Sequence, residues 1–217
     1  MSTQKTFLRG IARSENIRAC LLWACLPALV FYAVSLTIMK GAGFTTTEIL
    51  RDVMQQTKQS SFLGFLSSVG VWLWIAAATL CLFRYRLQSS RGPSRYRNLL
   101  MLMAGFSLFL GIDDFFLIHD RYLAEGVLLP IYAIFAITLL VRYRRIIAEI
   151  DGTAFVIAGG LLAMSILVDA VQENLSVPYE YTQIAEEGFK FTGAAAWVYL
   201  CFRLAAYRLR PGITDAV

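Results

Sequence analysis

The sequence predicts an all-α integral membrane protein, a bundle of six transmembrane helices with both termini in the cytoplasm. Three observations support this prediction. Only 16% of the 217 residues are charged, whereas soluble domains carry about 25%. The uncharged residues gather into long apolar runs that are close to the length needed to cross a bilayer. Basic residues concentrate in the loops on one side of these runs, and this asymmetry sets the orientation.

Six apolar runs are candidate spans. They cover residues 17–39, 62–83, 98–118, 125–141, 153–173 and 184–206. We therefore expect one transmembrane domain over residues 17–206, between a cytoplasmic N-terminal segment, 1–16, and a cytoplasmic tail, 207–217. The first run follows basic residues as a signal peptide would, but it lacks a small-residue cleavage site, so we interpret it as a retained span. Pro27 predicts a kink within it.

A short amphipathic helix is predicted on the outer surface, between the first and second spans. Thr45 and Glu48 have the spacing of a capping box, which marks a helix N-terminus. Apolar residues then recur at helical spacing, at Ile49, Leu50, Val53 and Met54. Two interpretations of this segment remain open: a helix lying on the membrane surface, or a solvated loop helix packed on the spans.

Charge is distributed unevenly across the predicted membrane. The net charge is +5, but the basic residues flank apolar spans, so we expect no nucleic-acid partner. Of the 20 basic residues, only Lys40, Arg51, Lys58, Arg121 and Lys190 fall on the outer side. The acids have the opposite distribution, because only Glu15, Glu149, Asp151 and Asp215 of the 15 fall inside. Acidic residues do not normally follow the topology rule, so this distribution indicates a site on the outer side.

The four cysteines do not indicate a metal or disulfide framework. Cys20, Cys25, Cys81 and Cys201 form no CxxC pair, and the chain has one histidine, so a structural zinc site is not expected. All four fall in the inner halves of predicted spans. We expect reduced thiols that pack as small apolar residues.

The candidate site is built from three segments at the outer ends of spans three, five and six. Ionisable side chains within a membrane are costly and are functional by default. The segment GIDDFFLIHDRY closes the third span and carries three aspartates and the single histidine. The candidate proton- or metal-binding residues are Asp113, Asp114, His119, Asp120, Asp169, Glu173, Glu186 and Glu187, with Lys190 and Arg121 as charge partners.

Helical spacing predicts how some of these residues combine. Asp113 and Asp120 share a face if the third helix continues that far, and Asp114 can then pair with Arg121. Glu186 precedes Lys190 by one turn, a spacing that favours an intrahelical ion pair. Because acids outnumber bases at these ends, we expect neutralisation of Asp114 to leave the stability of the unliganded protein unchanged or higher.

The predicted function is cation or proton binding at this acidic site, for transport or sensing, with Glu149 and Asp151 as an inner exit. Carboxylates and an imidazole suit protons or a divalent metal ion, which is the one candidate cofactor. One alternative is a metal-dependent membrane enzyme acting on a lipid or lipid-linked substrate. Another is an accessory subunit of a membrane complex. Expected partners are the lipid bilayer and a second copy or membrane-complex subunit, and the expected location is the bacterial inner membrane.

Overall fold

The described part of the chain is helical and contains no strand, as the sequence predicts. The structure is a computed structural model, and it describes residues 18, 21–50, 53–60, 62–88, 94–123, 125–172 and 177–207. The helices Phe65–Leu87, Ser94–Phe116 and Arg144–Gln172 are long and apolar enough to cross a membrane. Their length and composition support the membrane-protein class that the sequence predicts, while the count of six spans stays a prediction. The chain divides into two units, residues 1–63 and 64–217.

The first unit begins with a change of helix type close to Pro27. A π-helical turn, Leu21–Cys25, leads into helix α1, Leu26–Gly41, which has the proline in its first turn. Proline is tolerated there because the first N–H groups of a helix have no intrahelical acceptor. The irregularity predicted at Pro27 is therefore a π-to-α transition.

Two helical segments are described after α1, in the region where the sequence predicts an amphipathic helix, and residues 51–52 between them lie outside the described part of the chain. The segments are α2, Thr46–Leu50, and α3, Val53–Thr57. The predicted capping box is confirmed, because the Thr45 N–H donates to Glu48 Oε2 at 2.8 Å and the Glu48 N–H donates to Thr45 Oγ1 at 3.3 Å. The side chain of Gln56 connects the two helices by donating to the Glu48 carbonyl at 3.2 Å.

The second unit contains the long helices. They are α4, Phe65–Leu87; α5, Ser94–Phe116; α6, Ile118–Arg121; α7, Glu125–Arg142; α8, Arg144–Gln172; and α9, Tyr179–Ala206. Helix α9 packs between α4 and α8, and α5 packs on the other side of α4. Helix α7 contacts α5 through aromatic side chains, including a stacked pair of Phe106 and Phe135 with ring centroids 4.5 Å apart.

Two glycines allow close helix contacts. A Cβ atom on Gly111 of α5 would lie 3.2 Å from the Cβ of Trp74 on α4. A Cβ atom on Gly193 of α9 would lie 2.9 Å from Leu162 Cγ and 3.1 Å from the Leu162 backbone nitrogen on α8. Small residues at such positions let helix backbones approach closely, which is the main source of packing energy between helices in a membrane.

Helix α8 contains a break at Asp151, where the backbone is extended (φ −167°, ψ 77°). The Asp151 carboxylate accepts a hydrogen bond from the Ala154 N–H at 3.0 Å, so it caps the helix that begins after it. Its second oxygen lies 3.3 Å from Arg203 Nε on α9. The apolar part of α8 therefore begins close to the start that the sequence predicts for the fifth span.

Helix α5 ends earlier than the sequence predicts. It stops at Phe116, and Leu117 has a left-handed backbone with φ 53°, the conformation that commonly terminates helices. A separate short turn, α6, then carries residues 118–121. The third helix therefore does not continue to Asp120, and the condition under which Asp113 and Asp120 would share a face is not met.

Candidate functional site: an ion pair in a pocket between three helices

The centre of the site is an ion pair between Asp114 and Lys190. The Lys190 ammonium lies 2.9 Å from Asp114 Oδ1. The indole N–H of Trp74 donates to the other carboxylate oxygen, Oδ2, at 2.8 Å. The site therefore joins α5, α9 and α4 through one carboxylate, whose two oxygens each have a different donor.

The packing of the helices explains why these three residues meet. Asp114 lies in the last turn of α5, and Trp74 lies in the first half of α4, which runs antiparallel to α5 next to Gly111. The Trp74 side chain is 2% exposed, so its N–H needs an acceptor within the protein. A carboxylate between packed helices likewise needs donors, because an unpaired charge in an apolar environment is strongly unfavourable.

The ion pair is not sealed from its surroundings. The side chain of Lys190 is 30% exposed and that of Asp114 is 11% exposed. Both line an open pocket to which α9 contributes a second carboxylate, Glu187, one turn before the lysine. The space open to water is about 20 Å³, enough for one water molecule or a small ion. The remaining lining residues are Leu66, Ser67, Gly70, Trp74, Phe191 and Ala194.

Asp113 takes part in a different contact, although it is adjacent to Asp114. Its side chain is 3% exposed and accepts a hydrogen bond from the Tyr132 hydroxyl of α7 at 2.5 Å. Successive residues on a helix point about 100° apart, so α5 directs one aspartate toward α7 and the next toward α4 and α9.

The other candidate residues do not line the pocket. Asp169 accepts a hydrogen bond from the Gln172 amide at 2.6 Å on the same helix. Glu186 is half-buried on α9, and Arg121 is exposed in the short turn after α5. The side chains of His119 and Asp120, together with Glu173, lie outside the described residues. Of the predicted set, the pocket thus combines Asp114, Glu187 and Lys190.

The sequence suggests a divalent metal ion, which would need several side-chain ligands grouped around one point. Within the described residues, no three His, Cys, Asp or Glu side chains are grouped so that they could hold a metal ion. The pocket offers two carboxylates and an ammonium. The ammonium already compensates one of these two carboxylates.

Trp74 is the site residue that the sequence analysis does not single out. Interface belts and packing account for most tryptophans in membrane proteins, so its position in an apolar span gives a weak signal. The informative feature is that a tryptophan buried in an apolar span needs a hydrogen-bond acceptor. Serine, threonine or acidic residues on neighbouring spans are the available acceptors, and Asp114 is one of them.

Glu149 and Asp151, which the sequence assigns to the inner side, both have protein partners at the end of the bundle opposite the pocket. The Tyr207 hydroxyl donates to Glu149 Oε1 at 2.6 Å. Asp151 caps the apolar part of α8 and pairs with Arg203. These contacts give both residues structural roles at that end, in addition to the exit role that the sequence suggests.

Comparison with known families adds one finding. The family model for a domain of unknown function, DUF8692, matches residues 19–204. The chain belongs to this family. The matched segment contains every residue that lines the pocket, so the ion pair lies within the domain that defines the DUF8692 family. No curated protein and no solved structure matches the chain.

Proposed function

We propose that this DUF8692 protein binds a proton or a small cation at the Asp114–Lys190 pair and uses the binding for transport or sensing. One observation carries the proposal: a carboxylate–ammonium pair within a helical bundle opens to a pocket that holds a second carboxylate, Glu187. A purely structural lock does not need an open pocket or an additional acid.

The chemistry is a competition for Asp114. In the described state, Lys190 acts as an internal counter-ion, and its ammonium occupies the position next to Oδ1. A proton that binds Asp114 neutralises the carboxylate and releases the ammonium. A cation that binds between Asp114 and Glu187 repels the Lys190 ammonium. In both cases Lys190 loses its partner, and its flexible four-carbon stem allows it to move.

Trp74 contacts the carboxylate oxygen of Asp114 that Lys190 does not contact. Its N–H donates to Oδ2, so a competing ion can replace Lys190 at Oδ1 without breaking the Trp74 contact. Binding is therefore expected to displace α9, which carries Lys190 and Glu187, relative to α4 and α5. Such a movement between helices connects ion binding to a change of conformation, as either transport or sensing requires.

The proposed topology is a six-span bundle of the bacterial inner membrane with both termini inside. The additional proposed spans are α1, α7 and α9. The ends of α4, α5 and α9 that form the pocket then face outward, away from the arginine-rich ends. A site near the outer surface can take up protons or cations directly from outside the cell.

The test compares the ion responses of wild-type and variant protein, both in proteoliposomes and in detergent. Wild-type protein in proteoliposomes is subjected to a pH gradient and, separately, to Na⁺, K⁺ or Mg²⁺ gradients, with internal pH and cation content measured. Thermal stability in detergent is measured over the same conditions, so that sensing without flux is also detected. We expect Asp114→Asn to abolish the response. We expect Lys190→Met to strengthen cation or proton binding, because it removes the internal competitor.

The matched control is the second ion pair, Arg203 and Asp151 at the opposite end of the bundle. If that pair is only structural, Arg203→Gln lowers stability and leaves the ion response in place, whereas a changed ion response would support the exit role predicted for Asp151. A wild-type protein that responds to no cation and to no pH change, in flux or in stability, refutes the proposal. If such a protein also co-purifies in a stable complex, the accessory-subunit alternative is favoured.

A further inference from the structure

The end of the bundle opposite the pocket is rich in arginine. The helix ends that meet there carry Arg84, Arg86, Arg95, Arg97 and Arg142. The two acids described at this end are Glu149 and Asp151, which are engaged by Tyr207 and Arg203. The described arginines of α4, α5 and α7 are therefore in large excess over carboxylates that could neutralise them.

Arg84, near the end of α4, is held with part of its hydrogen-bonding capacity unused. Its Nη2 donates to the Tyr207 carbonyl at 3.0 Å, which fixes the side chain between α4 and the end of α9. Its Nε is buried and has no acceptor among the described residues. A guanidinium offers five N–H donors in a planar fork, and a buried donor without an acceptor calls for a water or an anion.

Arg97, near the start of α5, shows the same pattern. Its Nη2 donates to the Tyr85 hydroxyl at 3.2 Å, and its guanidinium carbon lies 5.0 Å from the centre of the Tyr85 ring. Its Nε is also buried and without an acceptor within the described part of the chain. Tyr85 adjoins Arg84 in sequence, so both guanidinium groups stand at the same α4–α5 end, and each contacts a tyrosine.

We propose that Arg84 and Arg97 bind the phosphate of an anionic phospholipid headgroup. The arginine fork matches the spacing of phosphate oxygens, so one phosphate can accept two N–H bonds from a guanidinium. Both residues are half-buried, so part of each is accessible at this end of the bundle. Tyrosines are typical of helix ends at that depth, and basic pockets between helices on the cytoplasmic side bind anionic headgroups.

The proposal names a lipid as the source of the phosphate because of where the site lies. It stands at the ends of two long apolar helices, α4 and α5, where a bilayer supplies headgroups at high local concentration. The inference is independent of the ion-pair pocket, since the two sites share no residue.

The experiment measures lipid binding to the full chain. Purified protein in a neutral detergent is titrated with phosphatidylglycerol, with phosphatidylcholine, and with inorganic phosphate or glycerol phosphate, and adducts and thermal stability are recorded. We expect phosphatidylglycerol alone to form adducts and to stabilise the wild type. Arg97→Gln and Arg84→Gln should each weaken phosphatidylglycerol binding about fivefold, as expected for one basic residue at an anionic surface.

Two further variants make the test specific. Arg86→Gln removes an exposed arginine from the same end of α4 and should leave phosphatidylglycerol binding near that of the wild type. Arg97→Lys keeps the charge but loses the fork, so it should bind less tightly than the wild type. Equal losses in Arg86→Gln and Arg97→Gln overturn the site. Equal stabilisation by phosphatidylcholine overturns anion selectivity, and equal stabilisation by inorganic phosphate overturns the assignment to a lipid.

Discussion

The ammonium of Lys190 and the carboxylate of Asp114 are 2.9 Å apart and connect α9 to α5. This pair changes one expectation from the sequence. The excess of acids in the sequence predicts that neutralising Asp114 leaves stability unchanged or higher. The contacts now favour the opposite outcome, because Asp114→Asn leaves the ammonium without its counter-ion and weakens the acceptor for the Trp74 N–H.

We therefore expect Asp114→Asn to lower the free energy of unfolding. Removing one partner of a fully buried pair costs about 3–5 kcal/mol. The lysine side chain is 30% exposed, so solvent reduces the cost to about 1–3 kcal/mol. Thermal unfolding in detergent measures this change. A double variant, Asp114→Asn with Lys190→Met, should recover part of the loss because no unpaired ammonium remains. If the two single losses simply add, the two side chains do not interact.

The contact between Tyr132 and Asp113 gives a second prediction. Tyr132→Phe removes a hydroxyl that donates to a carboxylate only 3% exposed. Loss of a donor to a buried acceptor costs about 1–3 kcal/mol, so the melting temperature should fall. Tyr199→Phe is the matched control, because Tyr199 is 51% exposed and should tolerate the change. Equal melting temperatures for wild type and Tyr132→Phe would mean that this hydrogen bond is not formed.

A third prediction concerns the close approach of α8 and α9 at Gly193. Gly193→Ala places a Cβ atom 2.9 Å from Leu162 Cγ and 3.1 Å from a backbone nitrogen, so α8 and α9 must separate. Overpacking of this kind costs about 1–3 kcal/mol.

Gly188 on the same helix provides the control for this prediction. No atom lies within 4 Å of a Cβ added there, and alanine is a better helix former than glycine by about 1 kcal/mol. Gly188→Ala should therefore be neutral or stabilising. A Gly193→Ala variant as stable as Gly188→Ala in thermal unfolding would contradict the described packing of the two helices.

The sequence predicts the positions of the long helices because a helix that crosses a bilayer must be apolar over about 20 residues. Apolar length places α4, α5 and the apolar part of α8, and Thr45 with Glu48 identifies the start of α2. The sequence does not predict where α5 ends. Its apolar pattern continues past Phe116, and Leu117 is not a residue type that favours a left-handed backbone. The break there depends on the tertiary structure.

The sequence predicts which residues of the site are unusual, but it does not predict which of them are in contact. Residue type alone identifies Asp114, Glu187 and Lys190 as unusual in a membrane protein. Spacing along one helix predicts a partner for Asp114 within its own segment, namely Arg121. The observed partner of Asp114 lies on another helix, 76 positions further along the chain. Such pairings depend on which helix faces pack together, and the sequence of one chain does not specify that.

A fourth prediction concerns the pH dependence of the cap on α2. Hydrogen bonds from the Thr45 hydroxyl and backbone N–H lower the pKa of Glu48 below its ordinary value of 4.5. A lowered pKa means that the ionised form stabilises the folded cap. The stabilisation is complete above pH 4.5 and disappears as the pH falls through the lowered pKa.

Hydrogen exchange of the Thr45 and Glu48 amides measures this effect directly. We expect protection at pH 6 that decreases as the solution becomes more acidic than pH 4.5. Glu48→Ala should remove the pH dependence together with the carboxylate, while Gln56→Ala, which removes only the contact to the Glu48 carbonyl, should keep it. Unchanged protection of wild-type Thr45 well below the ordinary pKa would show that the capping box does not depend on ionised Glu48.

The last prediction concerns the orientation of the bundle, on which the direction of ion uptake depends. Only five of the 20 basic residues fall on the side to which we assign the pocket, and a basic excess marks the cytoplasmic side. A single cysteine is introduced at Ser176, between α8 and α9, or at Ser89, between α4 and α5, in a variant that lacks the four native cysteines. Intact cells are then treated with a maleimide that does not cross membranes. We expect labelling at Ser176→Cys and none at Ser89→Cys until the cells are permeabilised. The reverse pattern would place the Asp114–Lys190 pocket on the cytoplasmic side, and labelling of both positions in intact cells would contradict the six-span count.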